Sequence, residues 1–253
     1  MKKLLALLCT LALMLGVMSA CKTSSESTIE KANRALEENP YVMTMTMEFE
    51  SDNQEMNQIF SAMNMEIPIT VDGDNLAMEI SMNIMGYSAD IKMTVVDKVV
   101  YYKTSMMGQT AKMKASLSEE EYVDFKSNNN AEMMIKPEDF ESFSIEKKDG
   151  KTYITCTDIS ENGLKELNDI LEDSIKSLGG EATVSGIDYQ IVLKNDKYEE
   201  MNMSCEYTVS VNSVEYTVSF NLSSKFSYDN VPSINIPSDA STYTETDAED
   251  LIG

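Results

Sequence analysis

A two-residue hydrophobic period runs through most of this chain, and it restricts the fold to one built on a sheet. Between Tyr41 and Glu50, the side chains of Tyr41, Met43, Met45, Met47 and Phe49 fall on one side, and those of Thr44, Thr46, Glu48 and Glu50 on the other. Successive residues of a strand point to opposite faces, so this alternation specifies a strand with one dry and one wet side. The pattern returns at Met65, Ile67, Ile69 and Val71, at Leu76, Met78, Ile80, Met82 and Ile84, and at Tyr87, Ala89, Ile91, Met93 and Val95. Pro68 cannot donate to a ladder and points to an edge or bulged strand for its run. Further strands are expected over residues 99–104, 109–115, 142–148, 151–157, 183–194, 198–211 and 214–228. Asp72-Gly73-Asp74-Asn75, Asp97-Lys98, Asn195-Asp196 and Asn212-Ser213 are the turns between neighbours, and Asp149-Gly150 is the strongest hairpin signal. The stretch 51–64 fits a loop, a short helix or a ragged strand end.

Helical signals interrupt the strands in three places. Ser27 and Glu30 form a capping-box pair ahead of Ile29, Ala32 and Leu36, which share a face, and Asn39-Pro40 stops the turn. Ser118 and Glu121 make a second box, before a short helix over 119–126. The longest helix is expected over 161–178, with Leu164, Leu167, Leu171, Ile175 and Leu178 as its apolar stripe and Gly179-Gly180 as its stop. About eleven hairpin-linked strands with helices at the start and middle define an α+β fold: one antiparallel sheet, one face wet, the other packed on helices.

The N-terminus has the layout of an export signal. Lys2 and Lys3 precede an apolar run from Leu4 to Val17, and Ser19-Ala20 leads into Cys21. The run is short for a bilayer span. Met18-Ser19-Ala20-Cys21 resembles the lipobox of bacterial lipoproteins, with Met18 where Leu is usual. That resemblance implies cleavage after Ala20 and a diacylglycerol thioether on Cys21. Two acyl chains hold where one does not, each buried CH₂ adding roughly 0.8 kcal/mol. The chain therefore divides into a signal (1–20), a lipidated cysteine and tether (21–27), one folded domain (28–238) and an acidic tail (239–253) expected to be disordered. Its location is expected to be the extracytoplasmic face of the cell membrane, held by the lipid.

Composition excludes several function classes. The net charge of −23 becomes −25 without Lys2 and Lys3, which argues against nucleic acid and electrostatic membrane docking. Arg34 is the only arginine, so no arginine cluster exists for phosphate recognition. There is no histidine, which removes Ser-His-Asp and Cys-His catalysis and His-bearing zinc sites. Ser144-Ile145-Glu146-Lys147 matches a catalytic S-x-x-K string but lies in a strand without companion motifs. Asp72-Gly73-Asp74 lacks the continuation of a calcium loop. No catalytic residue, metal site or cofactor is indicated, and a non-enzymatic role follows. Of the cysteines, Cys9 leaves with the signal. Cys156 and Cys205 fit equally a disulfide, permitted outside the cytoplasm, and two buried free thiols.

Of the 20 methionines, only Met1, Met14 and Met18 lie in the signal. The others recur at i,i+2 spacing, so Met43, Met45 and Met47 share a face, as do Met78 and Met82, and Met201 and Met203; Met93 belongs to the same strand pattern. Methionine is flexible and polarisable and suits surfaces that accept varied apolar ligands. A deformable apolar cavity is one reading, a Met-rich packed core another. Copper(I) is a third, disfavoured because same-face strand neighbours lie about 7 Å apart.

The element order, together with Val95-Val96-Asp97-Lys98-Val99-Val100-Tyr101-Tyr102-Lys103 and the segment Tyr228 to Pro237, resembles the LolA/LppX-like lipoproteins and a group of lipoproteins from low-GC Gram-positive bacteria. The resemblance spans nearly the whole mature chain through degenerate motifs. It implies a large curved sheet, a half-open β-barrel wrapped on helices, whose concavity holds acyl chains, and it carries over no catalytic residues. The expected function is binding of a lipid or other hydrophobic ligand against Met43, Met45, Met47, Met78, Met82, Met93, Met201 and Met203. The alternative is an envelope interaction or sensor lipoprotein with a packed core and a protein partner.

Overall fold

A computed structural model describes residues 26–54, 57, 64–84, 87–130, 140–161, 163–165, 181–211, 214–248 and 251. Its strands are β1 (Tyr41–Ser51), β2 (Met65–Asp72), β3 (Asn75–Ile84), β4 (Tyr87–Val96), β5 (Val99–Met106), β6 (Gln109–Ser116), β7 (Phe140–Lys148), β8 (Lys151–Ile159), β9 (Glu181–Lys194), β10 (Lys197–Val211), β11 (Val214–Ser227) and β12 (Thr244–Glu245). All twelve belong to one large, curved, open sheet in the order β12-β6-β5-β4-β3-β2-β1-β11-β10-β9-β8-β7. Two meanders, β1 to β6 and β7 to β11, are thus joined where β1 pairs β11 from Val42↔Ser227 to Ser51↔Val218. Every pairing is antiparallel except that of β12 with β6.

The turns follow their residues. Asp97 and Lys98 both have positive φ, as do Asn195 and Asp196, and Asp149 and Gly150. Two consecutive positive φ values define the tight hairpin turn whose twist matches that of its strands. Met107-Gly108 adopts the same geometry with an exposed methionine in a position most side chains avoid.

Pro68 does not mark an outer edge. β2 lies between β1 and β3, but its pairing with β3 ends at Ile69↔Met78, one residue short of the proline. The missing N–H stops the ladder locally inside the sheet.

Helix α1 (Glu26–Glu38) buries Ile29 and Ala32 on the sheet, as its periodicity requires. It begins before Ser27, which lies inside the helix rather than at its cap. The Asn39 side chain donates to the Ala35 carbonyl at 2.8 Å and closes the last turn. Tyr198 on β10 donates to Asn33 Oδ1 at 2.6 Å, fixing α1 to the sheet. Helix α2 (Glu119–Asn130) starts with the expected reciprocal box: Ser118 N–H to Glu121 Oε2 at 2.7 Å, Glu121 N–H to Ser118 Oγ at 3.2 Å. It runs past the expected stop, through Asn128 and Asn129. The helix expected over 161–178 lies mostly outside the described residues. Glu161 and 163–165 are helical, and Ser160 Oγ accepts the Gly163 N–H at 3.2 Å.

The segment expected to be a disordered tail over 239–253 is docked on the sheet through much of its length. Residues Ala240–Thr242 form a 3-10 turn, β12 pairs Thr244 with Met113 and Glu245 with Lys114, and the Thr246 N–H donates to the Lys114 carbonyl at 2.9 Å. Tyr243 is buried edge-on against Tyr101, ring centroids 5.5 Å apart. Asp239 pairs Lys112 at 2.7 Å and Glu245 pairs Lys114 at 3.5 Å. Acidity alone suggested disorder; complementary lysines on β6 and one aromatic anchor reverse that outcome.

Two hydrophobic clusters occupy the dry face. The larger joins α1 to β1–β4 and β8–β11, and Phe49 meets Phe220 at 4.7 Å between ring centroids. The smaller consists of Val95, Val100, Leu117, Tyr122 and Phe125, with Ala248 and Leu251 of the C-terminal segment packed on it. Among the described residues, no helix is long and apolar enough to cross a membrane.

Candidate functional site

Strand register decides where the eight singled-out methionines lie. Met43 faces Ile69, which faces Met78, which faces Met93; Met45 faces Ile67 and Met47 faces Met65. Across β11, Met45 faces Ser224, which faces Met201, and Met47 faces Leu222, which faces Met203. Met82 lies two pairs beyond Ile80 on the same side of β3. Directly opposed residues point to the same face, so all eight share the dry face of one sheet. Met45, Met47, Met82, Met201 and Met203 are buried; Met43, Met78 and Met93 are partly so.

Between Met45 and Met201 lies Ser224. It is fully buried, and its Oγ has no hydrogen-bond partner. A buried hydroxyl without a partner costs about 1–3 kcal/mol. Nearby, the Tyr189 hydroxyl approaches Met201 Sδ at 3.7 Å, and burial raises the Tyr189 pKa. Burial likewise raises Tyr41 to about 12. Burial thus keeps both of these phenols neutral.

Cys156 and Cys205 are free and buried. Cys156 faces Tyr189 on β9 and Cys205 faces Ile187 on the same strand. The two residues lie two strands apart and two positions out of register, about 12 Å between Cα atoms, beyond the reach of a disulfide. The bonded alternative is thereby corrected in favour of free thiols. Burial pushes the Cys205 thiol up to about 12, so it stays protonated at neutral pH.

The wet face carries two hollows, neither anticipated from the sequence. One, of about 570 Å³, crosses β1, β11, β10, β9 and β8. Its floor is a row of opposed residues, Thr46, Ser223, Asn202, Gln190 and Thr155, beside Glu48, Asn221, Ser204 and Asp188. The other, of about 700 Å³, lies by β6 and the docked C-terminal segment, bordered by Lys103, Lys112, Thr110, Thr242 and Thr244. The two-residue period assigns the strand side chains of the first hollow to a wet face but does not show which strands bring them together, and Thr242 and Thr244 fall in the segment expected to be disordered. No cluster of three acidic or thiol side chains suited to a metal occurs among the described residues. Cys21 lies outside the described residues.

Residues 26–245 match a family described as "Family of unknown function (DUF6612)". The chain belongs to that family. No curated protein matches. Among solved structures, the chain is similar to the crystal structure of ywiB protein from Bacillus subtilis, with 9% identity over 74% of this chain and 91% of that one, at a TM-score of 0.20. A likeness of that size carries no argument about function.

Proposed function

We propose that this protein is a lipid-anchored, non-enzymatic binding protein of the extracytoplasmic membrane face, holding an apolar ligand against the methionine face of its sheet. The carrying observation is the register that puts Met43, Met45, Met47, Met78, Met82, Met93, Met201 and Met203 on one side of a single sheet. Methionine side chains fill space when a ligand is absent and rearrange to line it when one enters. Ser224 supports the same reading: a polar atom on an otherwise apolar ligand would satisfy its unpartnered hydroxyl. The resemblance to LolA/LppX-like carriers and the lipobox at Cys21 agree with a role beside a membrane.

Native mass spectrometry of the full chain, purified from two expression hosts, tests the reading. Extractable lipid bound at a fixed stoichiometry is expected. Empty protein from both hosts, at the mass of the bare polypeptide plus its anchor, overturns it. A second reading, an interaction lipoprotein with a packed core, is favoured by the 570 Å³ hollow, whose amide and hydroxyl floor suits a polar partner. Crosslinking from Asn202 to an envelope protein, with an empty core, is the outcome that selects it.

A further inference from the structure

Three lysines stand side by side on the wet face. Lys92 on β4 faces Lys103 on β5, which faces Lys112 on β6. Like charges directly opposed on a sheet are destabilising. In a chain of net charge −23 with 20 basic residues, acidic neighbours could have neutralised the whole row. Only its ends are neutralised. Glu79 holds Lys92 at 2.6 Å, and Asp239, arriving from the C-terminal segment, holds Lys112 at 2.7 Å. The middle lysine, Lys103, has no ion-pair partner among the described residues.

Lys103 opens instead onto the 700 Å³ hollow, together with Lys112 and the threonines Thr110, Thr242 and Thr244. β12 covers β6 only at Met113 and Lys114, which leaves the hollow open beside the first half of β6. Asp239 shows what this surface accepts. Its carboxylate sits on the Lys112 ammonium, to which Thr242 Oγ1 also lies close, at 3.1 Å. Lys112, as hydrogen-bond donor and charge, holds the Asp239 carboxyl below its usual range, and Lys103 adds to the effect from further away.

We propose that this hollow is a binding site for a phosphate group, with Lys103 as its principal cation, Lys112 as the second, and the Thr110 and Thr244 hydroxyls as additional donors. Lysine acts on phosphate as a compact point charge with three rotatable donors, and needs no planar fork. A monocarboxylate is already supplied to Lys112 by the chain itself. A multiply charged oxyanion neutralises Lys103 and relieves the repulsion along the row, which a single negative charge does less well. The hollow is larger than a bare ion, so a phosphate carried on a small polyol fits it as well as inorganic phosphate does. Lys103 and Lys112 stand on the opposite face of the sheet from the eight methionines, and the site does not depend on the reading of that face.

Calorimetric titration of the full chain in detergent at low ionic strength tests the proposal, with inorganic phosphate and glycerol 1-phosphate as probes and acetate as control. At least one phosphate probe is expected to bind tenfold or more tightly than acetate. Lys103→Gln is expected to weaken that binding at least tenfold, Lys103→Arg to retain it, and Lys148→Gln, at the far end of the sheet, to leave it unchanged. Tighter binding of glycerol 1-phosphate assigns the site to a phosphate borne on a small molecule, the reverse order to the free ion. Thr110→Val, which removes a hydroxyl and no charge, is expected to weaken binding about threefold and serves as the second variant if Lys103→Gln fails to fold. Absence of saturable binding, equal binding of acetate, or equal losses in Lys103→Gln and Lys148→Gln overturn the proposal.

Discussion

The two clusters on the dry face differ in how completely they are specified. The smaller, under α2, is built from Val95, Val100, Leu117, Tyr122 and Phe125, and its polar atoms are matched. Tyr122 donates to the Asp74 carbonyl at 2.8 Å, and the Ser118–Glu121 box closes the helix start. The larger cluster, on the long strands and β1, is rich in methionine and encloses the unpartnered Ser224 hydroxyl. Branched and aromatic side chains with satisfied polar neighbours define a single packing, whereas methionine tolerates several. The packing under α2 is thus the more closely specified, and the methionine-rich packing the more adaptable.

Three substitutions sharpen or break this contrast. The largest effect is expected from Phe220→Ala, at the centre of the large cluster against Phe49. It is expected to cost about 3–5 kcal/mol by urea denaturation, the usual range for a buried aromatic. A loss below about 1 kcal/mol means that the methionine face is loosely packed throughout. Ser224→Ala is expected to move in the opposite direction, stabilising the ligand-free protein by about 1 kcal/mol or more, because a buried polar group without a partner is removed. A destabilised variant in the same assay means that Ser224 is already satisfied and the contrast fails. The smallest effect is expected from Tyr122→Phe, a loss of about 1 kcal/mol for one hydrogen bond. A neutral result there removes the case for a tightly specified small cluster.

Much of the architecture was legible before any coordinates. All eleven expected strands exist, and the turns at Asp97-Lys98, Asp149-Gly150 and Asn195-Asp196 have the backbone their residues call for. Ile29 and Ala32 bury the face that their spacing marked. What the sequence left open or misjudged shares one cause. Pro68 fits an edge or a bulged strand, residues 239–253 read as disordered, and Cys156 and Cys205 fit a disulfide or free thiols alike, because each judgement weighs a residue without its neighbours across strands. Net charge is equally blind to neighbours. A strongly acidic total does not show that Lys92, Lys103 and Lys112, from three separate strands, meet through register.

What this sequence determined by itself is the alternation within each strand and the chemistry of each turn. Both are local, since the strand period and the positive-φ preferences act over a few residues. Only the tertiary structure decided that β1 lies against β11, although almost the whole domain separates them in sequence. That pairing places Ser224 between Met45 and Met201 and makes one face out of methionines from distant strands. The docking of β12 on β6 likewise completes the lysine hollow with Asp239 and Thr242. Backbone hydrogen bonds between strands bear no imprint of which strand will supply them, so the partners, and the sites they assemble, are settled by burial over the whole sheet.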